Sequence, residues 1–228
     1  MKNLKLLKQK EANKYFKRNF KLLYNTKNDS GILDLCKIIN IKPKSILEIG
    51  CANGIRLHEY QKTLMSRVNY GIDISSLAIK DGKKRYKKLK LIRLSSLDLS
   101  KIKIKFDLII CGFFLYMLDR EEIFNQFNLI YKKLNKNGHL IIEDFDPLFK
   151  HTNNSIYNKN LKSFKMNYDR FLEESGLFKT VYKLRQNNYF LDKKKLKKNK
   201  TRKNFKSQDV SITLLKKINF EDSFPVNI

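Results

Sequence analysis

The chain is short of cysteine, arginine and acid and has no long apolar run, and each shortage excludes something. Its three cysteines, Cys36, Cys51 and Cys111, are scattered and odd in number. They show no metal-ligand spacing and read as reduced thiols of a cytoplasmic protein, not as a disulfide framework or a zinc site. No apolar run reaches the length of a membrane span. The basic amino terminus lacks the uninterrupted apolar stretch of a secretory signal. Acids number 22 against 49 Lys and Arg, a formal charge of +27. An excess of that size favours anionic partners, but nearly all of it is lysine. Arginine, whose planar fork reads phosphates and bases, is scarce. The chain is equally rich in Asn, Ile, Phe and Tyr, so a solvated lysine surface of compositional origin outweighs a nucleic-acid face.

What is present points to a folded α/β protein. At 228 residues, 42% hydrophobic and 12% aromatic, the chain is long enough to bury a core. Its centre is Ser45 to Gly54: a buried strand, Ser45–Ile49, a glycine turn, Gly50-Cys51-Ala52-Asn53-Gly54, and a helix from Ile55 to about Met65. Further strands are expected at 68–74, 91–94, 106–111 and 139–145, with helices between them. Ser75 or Ser76 caps one helix, Asp119-x-x-Glu122 opens another as a capping box, and Asn137-Gly138 ends it. That alternation predicts βαβ units and a parallel sheet. Ahead of it, residues 2–24 read as an amphipathic helix, a lid or a lead-in, and a second helix follows at 32–39 with Asp29 or Ser30 as cap. Past Pro147 the pattern lapses: 148–167 read as irregular and 168–175 as a short helix. Two late strands lie at 178–184 and 210–215, and a lysine-rich loop at 192–207 reads as mobile.

Glu48, Gly50 and Gly54, spaced E-x-G-x-x-x-G after a strand, resemble the first motif of class I S-adenosylmethionine-dependent methyltransferases. They do not match the dinucleotide fingerprint G-x-G-x-x-G. The resemblance covers about residues 30 to 146, and its order is similar to that of small bacterial methylases of surface-sugar pathways. It implies a single Rossmann-like, doubly wound domain over 30–228, with a mostly parallel seven-stranded sheet, helices on both faces and residues 1–29 as an added helix. It also implies S-adenosyl-L-methionine as cofactor, held by Glu48, Gly50, Cys51, Asn53, Gly54, Asp73, Ile74, Leu97, Asp98, Cys111 and Gly112. Asp73 would accept the ribose hydroxyls, or else cap the next helix. Asp98 would face the adenine, or else belong to a turn.

The sequence lacks the Asn/Asp-Pro-Pro-Phe/Tyr element of amide and nucleobase aminomethyltransferases. It also lacks the nucleophilic cysteine context of cytosine-carbon methylases. What remains is transfer to oxygen or to an accessible nitrogen, and the expectation is a small or sugar-like acceptor at oxygen, with Asp144, Asp146 and His151 as candidate bases. Phe113, Tyr116, Tyr157 and Tyr168 are the candidate acceptor-binding residues. Two alternatives stay open: an RNA methyltransferase using the lysine-rich surface, and a non-catalytic cofactor-binding subunit.

Overall fold

The computed structural model describes residues 2–25, 31–155, 157–186 and 209–219. The expected lysine-rich loop at 192–207 and the expected caps Asp29 and Ser30 lie outside the described residues. The centre of the fold is β1 (Ser45–Ile49), with all five residues buried. It pairs in parallel with β2 (Val68–Asp73) on one side and β4 (Phe106–Gly112) on the other. β3 (Lys90–Arg93) extends the sheet beyond β2, and β5 (Leu134–Phe145) lies beyond β4. β9 (Val210–Lys217) runs antiparallel to both β5 and the edge strand β8 (Phe178–Gln186). The order is β3-β2-β1-β4-β5-β9-β8, a mostly parallel seven-stranded sheet. Its order reverses between β1 and β4, where open α/β sheets form a ligand crevice at the carboxyl ends of the strands.

Both faces of the sheet are covered, which is why its central strands read as continuous apolar runs. Ile46, Leu108 and Ile110 pack with Leu35 of α3 (Ile32–Ile38), Leu57 and Tyr60 of α4 (Ile55–Leu64) and Ile79 of α5 (Ser76–Arg85). Leu47, Ile49, Ile109 and Cys111 face the other way, towards Phe127 and Ile130 of α6 (Ile123–Lys133) and Leu172 of α7 (Asp169–Glu174). The period-two alternation of β1 and β4 thus divides one strand set between two cores.

Four local expectations are corrected. Gly31, with φ 73°, stands at the N-cap of α3. α6 stops at Lys133, four residues before Asn137-Gly138, because Leu134 pairs with Phe106 and begins β5. Lys217 Nζ donates to the Tyr131 and Leu134 carbonyls and so satisfies the helix end. Asp119 makes no side-chain cap on its own helix turn; its carboxylate serves the amino-terminal helix instead. Residues 148–167 are not irregular throughout, since β6 (His151–Asn154) and β7 (Lys162–Lys165) form an antiparallel hairpin.

The amino-terminal residues run as α1 (Lys2–Leu6), a π-helical turn (Leu7–Glu11) and α2 (Ala12–Asn25). Two asparagines dock this helix across the carboxyl ends of the strands. The backbone N–H groups of Asn3 and Leu4 donate to the Asp119 carboxylate, and Asn3 Nδ2 donates to the Met117 and Lys162 carbonyls. Asn13 Oδ1 accepts from Ser75 Oγ at 2.8 Å and from the Leu77 amide at 3.2 Å, at the start of α5. Ser75 Oγ in turn accepts from the Ala78 amide. Asn13 is therefore an additional cap on a helix 62 residues away. Replacing it (Asn13→Ala) is expected to cost about 1 kcal/mol in urea unfolding; an unchanged midpoint would mean that this latch contributes nothing.

Candidate active site

Three turns at the carboxyl ends of β1, β2 and β4, together with α1 and α2, enclose a cavity of about 540 Å³. The first turn is tight. Gly50 adopts φ 74°, a conformation that costs glycine little, and the Gly50 and Cys51 amides donate to the Ile72 carbonyl. The second turn follows Asp73, which joins it to the first. Asp73 Oδ2 accepts from the Ala52 amide at 2.9 Å and Oδ1 from the Ser75 amide at 2.7 Å. Burial raises its pKa to about 6, against the pull of the Ser75, Ala52 and Ile74 amides. Asn53, fully buried, donates from Nδ2 to Asp81 on α5 and holds the glycine turn against that helix.

Beneath the cavity a guanidinium links two carboxylates from different strands. Arg56, in the first turn of α4, donates from Nε and Nη2 to Glu48 Oε1 on β1 at 3.1 and 3.0 Å, and from Nη1 to Glu143 Oε2 on β5 at 2.9 Å. Glu48 is 0% exposed and its Oε2 has no hydrogen-bond partner among the described residues. Burial drives its pKa up to about 7, with Arg56 opposing. Burial likewise raises Glu143, again against Arg56. The Arg56 charge is penalised by burial, but Tyr60, Glu48 and Glu143 outweigh that and push its pKa up. Gly112 makes room for the link: a Cβ there would stand 2.1 Å from Arg56 Nη2.

The third turn, after β4, carries the aromatic wall. Phe113 takes φ 49° and its amide donates to the Glu143 carbonyl. Tyr116 reaches the cavity beside Tyr15 of α2 and stacks edge-on to Phe145. Arg120 Nη2 donates to the Leu115 and Leu118 carbonyls and braces the turn.

Of the residues expected from the sequence, Gly50, Cys51, Asp73, Ile74, Gly112, Phe113 and Tyr116 line the cavity. Glu48, Asn53, Gly54 and Cys111 do not border it: Glu48 reaches it through Arg56, Asn53 and Gly54 shape the turn, and Cys111 lies in the core. At the end of β3 the lining residues are Leu94, Ser95 and Ser96 in place of Leu97 and Asp98; Asp98 instead pairs with Lys101. The three candidate bases have other partners. Asp144, 1% exposed, accepts from the Tyr116 and Phe145 amides, and burial, opposed first by those amides, raises its pKa to about 7. Asp146 pairs with Lys183 and Arg185. His151 sits on β6 with Nδ1 at the Phe149 carbonyl. None of the three borders the cavity. Tyr168 is core, donating to the Phe164 carbonyl and accepting from Arg120. Tyr157 is 65% exposed beneath Arg18.

Sequence reasoning missed Arg56, Glu143, Ser95, Ser96, Tyr15 and the two docking asparagines. Arg56 had a signal. A carboxylate inside an apolar strand requires a partner, and an arginine eight residues on, in the first turn of the next helix, is in reach. Among the described residues no group of His, Cys, Asp and Glu is arranged to hold a metal ion, and no helix is long and apolar enough to cross a membrane.

Comparison with known proteins agrees with this geometry. A family model described as a methyltransferase domain matches residues 42–204, more than half of the chain. An uncharacterised protein of Rickettsia prowazekii is 32% identical over 103 residues, 43% of this chain and 41% of that protein, so the chain spans about two fifths of that relative's length. Among solved structures, the N-methyltransferase NodS of Bradyrhizobium japonicum, in complex with S-adenosylhomocysteine, superimposes with a TM-score of 0.59 at 17% identity, over 82% of this chain and 84% of that one. The 1,6-didemethyltoxoflavin N1-methyltransferase of Burkholderia thailandensis, with its acceptor and S-adenosylhomocysteine bound, gives a TM-score of 0.69 at 10% identity, over 96% and 91%. TehB of Haemophilus influenzae gives 0.62 at 17% identity, over 92% and 67%. With its sheet order, its glycine turn and this family match taken together, the chain belongs to the methyltransferase-domain family, the class I enzymes that use S-adenosylmethionine.

Proposed function

We propose that this methyltransferase transfers the methyl group of S-adenosylmethionine to a small-molecule acceptor enclosed beneath its amino-terminal helix. The cavity carries this reading: about 540 Å³, apolar along α1, α2 and the turn after β4, and polar at Asp73, Ser95 and Ser96. That volume and mixed lining suit small molecules. The RNA alternative has only the lysine excess behind it.

The residues present fit the cofactor. Each Asp73 oxygen keeps a lone pair after serving one amide and can accept a ribose hydroxyl. Leu94, whose amide donates to the Asp73 carbonyl, lies with Ser95 and Ser96 where we assign the adenine. Arg56, held by Glu48, and the backbone of Gly50 and Gly112 suit the amino-acid portion. Phe113, Tyr116 and Tyr15 line the cavity, and an aromatic ring's face attracts a cation. When bound, the cofactor supplies a methyl group already activated on a positive sulfur. This chain then has to align the acceptor and exclude water, and orientation alone is worth up to about 7–11 kcal/mol of barrier.

The acceptor atom follows from which groups face the cavity. Its carboxylates among the described residues are Asp73, Asp119 and Glu143, each partnered to backbone amides or to Arg56. Asp144, Asp146 and His151, on which transfer to a plain sugar hydroxyl would depend, stand off it. The reading is therefore an acceptor that is nucleophilic as bound: an acidic oxygen, phenolic or enolic, or a neutral amine.

Calorimetric titration with S-adenosylhomocysteine is expected to show binding at neutral pH, weakened about tenfold or more in Asp73→Asn, since a charge-assisted hydrogen bond is lost. Burial holds Asp73 at about 6, so its carboxylate form is lost as pH falls through that value. Wild-type affinity should fall below pH 6, and the asparagine variant should lack that fall. Equal binding by both proteins at neutral pH would remove Asp73 from the cofactor site. Arg56→Met leaves two buried carboxylates unpaired and should cost about 3–5 kcal/mol in urea unfolding. Gly112→Ala, by displacing the same guanidinium, should move stability the same way; wild-type stability in both would refute the bridge.

A further inference from the structure

The segment that follows β5 is not used by the proposed reaction. The turn after β5 exposes two consecutive apolar side chains, Leu148 at 73% and Phe149 at 82%, and Tyr157 is 65% exposed nearby in sequence. Residues 147–167 contain no acid, and three of their lysines, Lys150, Lys159 and Lys162, are exposed. The fourth, Lys165, is buried with its ammonium 3.8 Å from the centre of the Phe145 ring. This segment is joined to the amino-terminal helix: the Lys162 amide donates to Asn3 Oδ1, and the Arg18 guanidinium lies 4.3 Å from the Tyr157 ring centre. Every lysine between residues 2 and 21 is exposed, and the one acid in that stretch, Glu11, is buried against Arg18. The apolar tip and the lysine-covered helix are thus carried by two segments that touch each other at Asn3–Lys162 and at Arg18–Tyr157.

We propose that these segments dock the enzyme on an anionic lipid bilayer, with Leu148 and Phe149 entering the interface and the lysines facing the headgroups. Two adjacent apolar side chains at a loop tip gain from leaving water, and a phosphate backbone offers them no such environment. Lysine is a hydrated point charge suited to diffuse attraction by a charged surface, whereas base or phosphate readout favours arginine. Charge and apolar exposure on these adjoining segments thus select lipid over nucleic acid.

The test uses the full chain and vesicles of phosphatidylcholine with or without phosphatidylglycerol. The protein should sediment with the anionic vesicles and not with the neutral ones, and salt should weaken the association. The chain has no tryptophan, so Phe149→Trp supplies a single reporter whose emission should shift to the blue on anionic vesicles. The double variant Leu148→Ser, Phe149→Ser should partition about tenfold or more weakly. It should bind S-adenosylhomocysteine as the wild type does, which shows that it is folded. Failure to sediment with anionic vesicles overturns the proposal, as does equal partitioning of the double variant, which would leave only lysine adsorption. Single-stranded RNA bound in place of vesicles, and lost in the same variant, would assign the surface to nucleic acid.

Discussion

The arrangement around the cavity depends on one buried guanidinium. Arg56 joins a carboxylate on β1 to one on β5 across the intervening strand β4, and Gly112 on β4 is the residue whose missing side chain lets it pass. Two carboxylates and one guanidinium leave an excess of negative charge, which burial resists by raising both glutamates. A purely apolar floor would pack as well at lower cost in desolvation. The ionic floor places charge at the switch point of the sheet.

Four other acids share one habit, accepting backbone N–H groups from turns. Asp73 holds together the turns after β1 and β2, Asp144 the turn after β4, Asp119 the first residues of α1, and Asp107 the entry to β1 through Lys44 and Ser45. In a chain with 22 acids and 49 Lys and Arg, these few carboxylates fix the loops at the strand ends. Asp144, chosen from the sequence as a base, is one of them. An aspartate at the end of a strand serves either a ligand or the neighbouring amides. Asp73 borders the cavity as well as accepting its amides, whereas Asp144 accepts amides and does not border it.

Much of this was legible before the structure. β1 and β4 stand out because a strand covered on both faces is mostly apolar, and Gly50 and Gly112 follow from their ends, as Asp73 does from the end of β2. The polar hairpin β6–β7 escaped notice because it buries little and so carries no apolar alternation. The Asp119-x-x-Glu122 pattern misled because the aspartate found amides from a helix 116 residues earlier in the chain. Asn3 and Asn13 gave no signal for the same reason, their partners being distant in sequence. Local patterns report local bonds, and the cavity's far wall is made by distant ones.

The central claim is that the strand-end turns and the amino-terminal helix form one cavity around one cofactor. Amide hydrogen exchange with and without S-adenosylhomocysteine tests it most directly. The account predicts added protection in residues 50–55 and 112–116 together with residues 3–19. Protection confined to the strand-end turns, with the helix unchanged, would contradict it and leave that helix outside the active site.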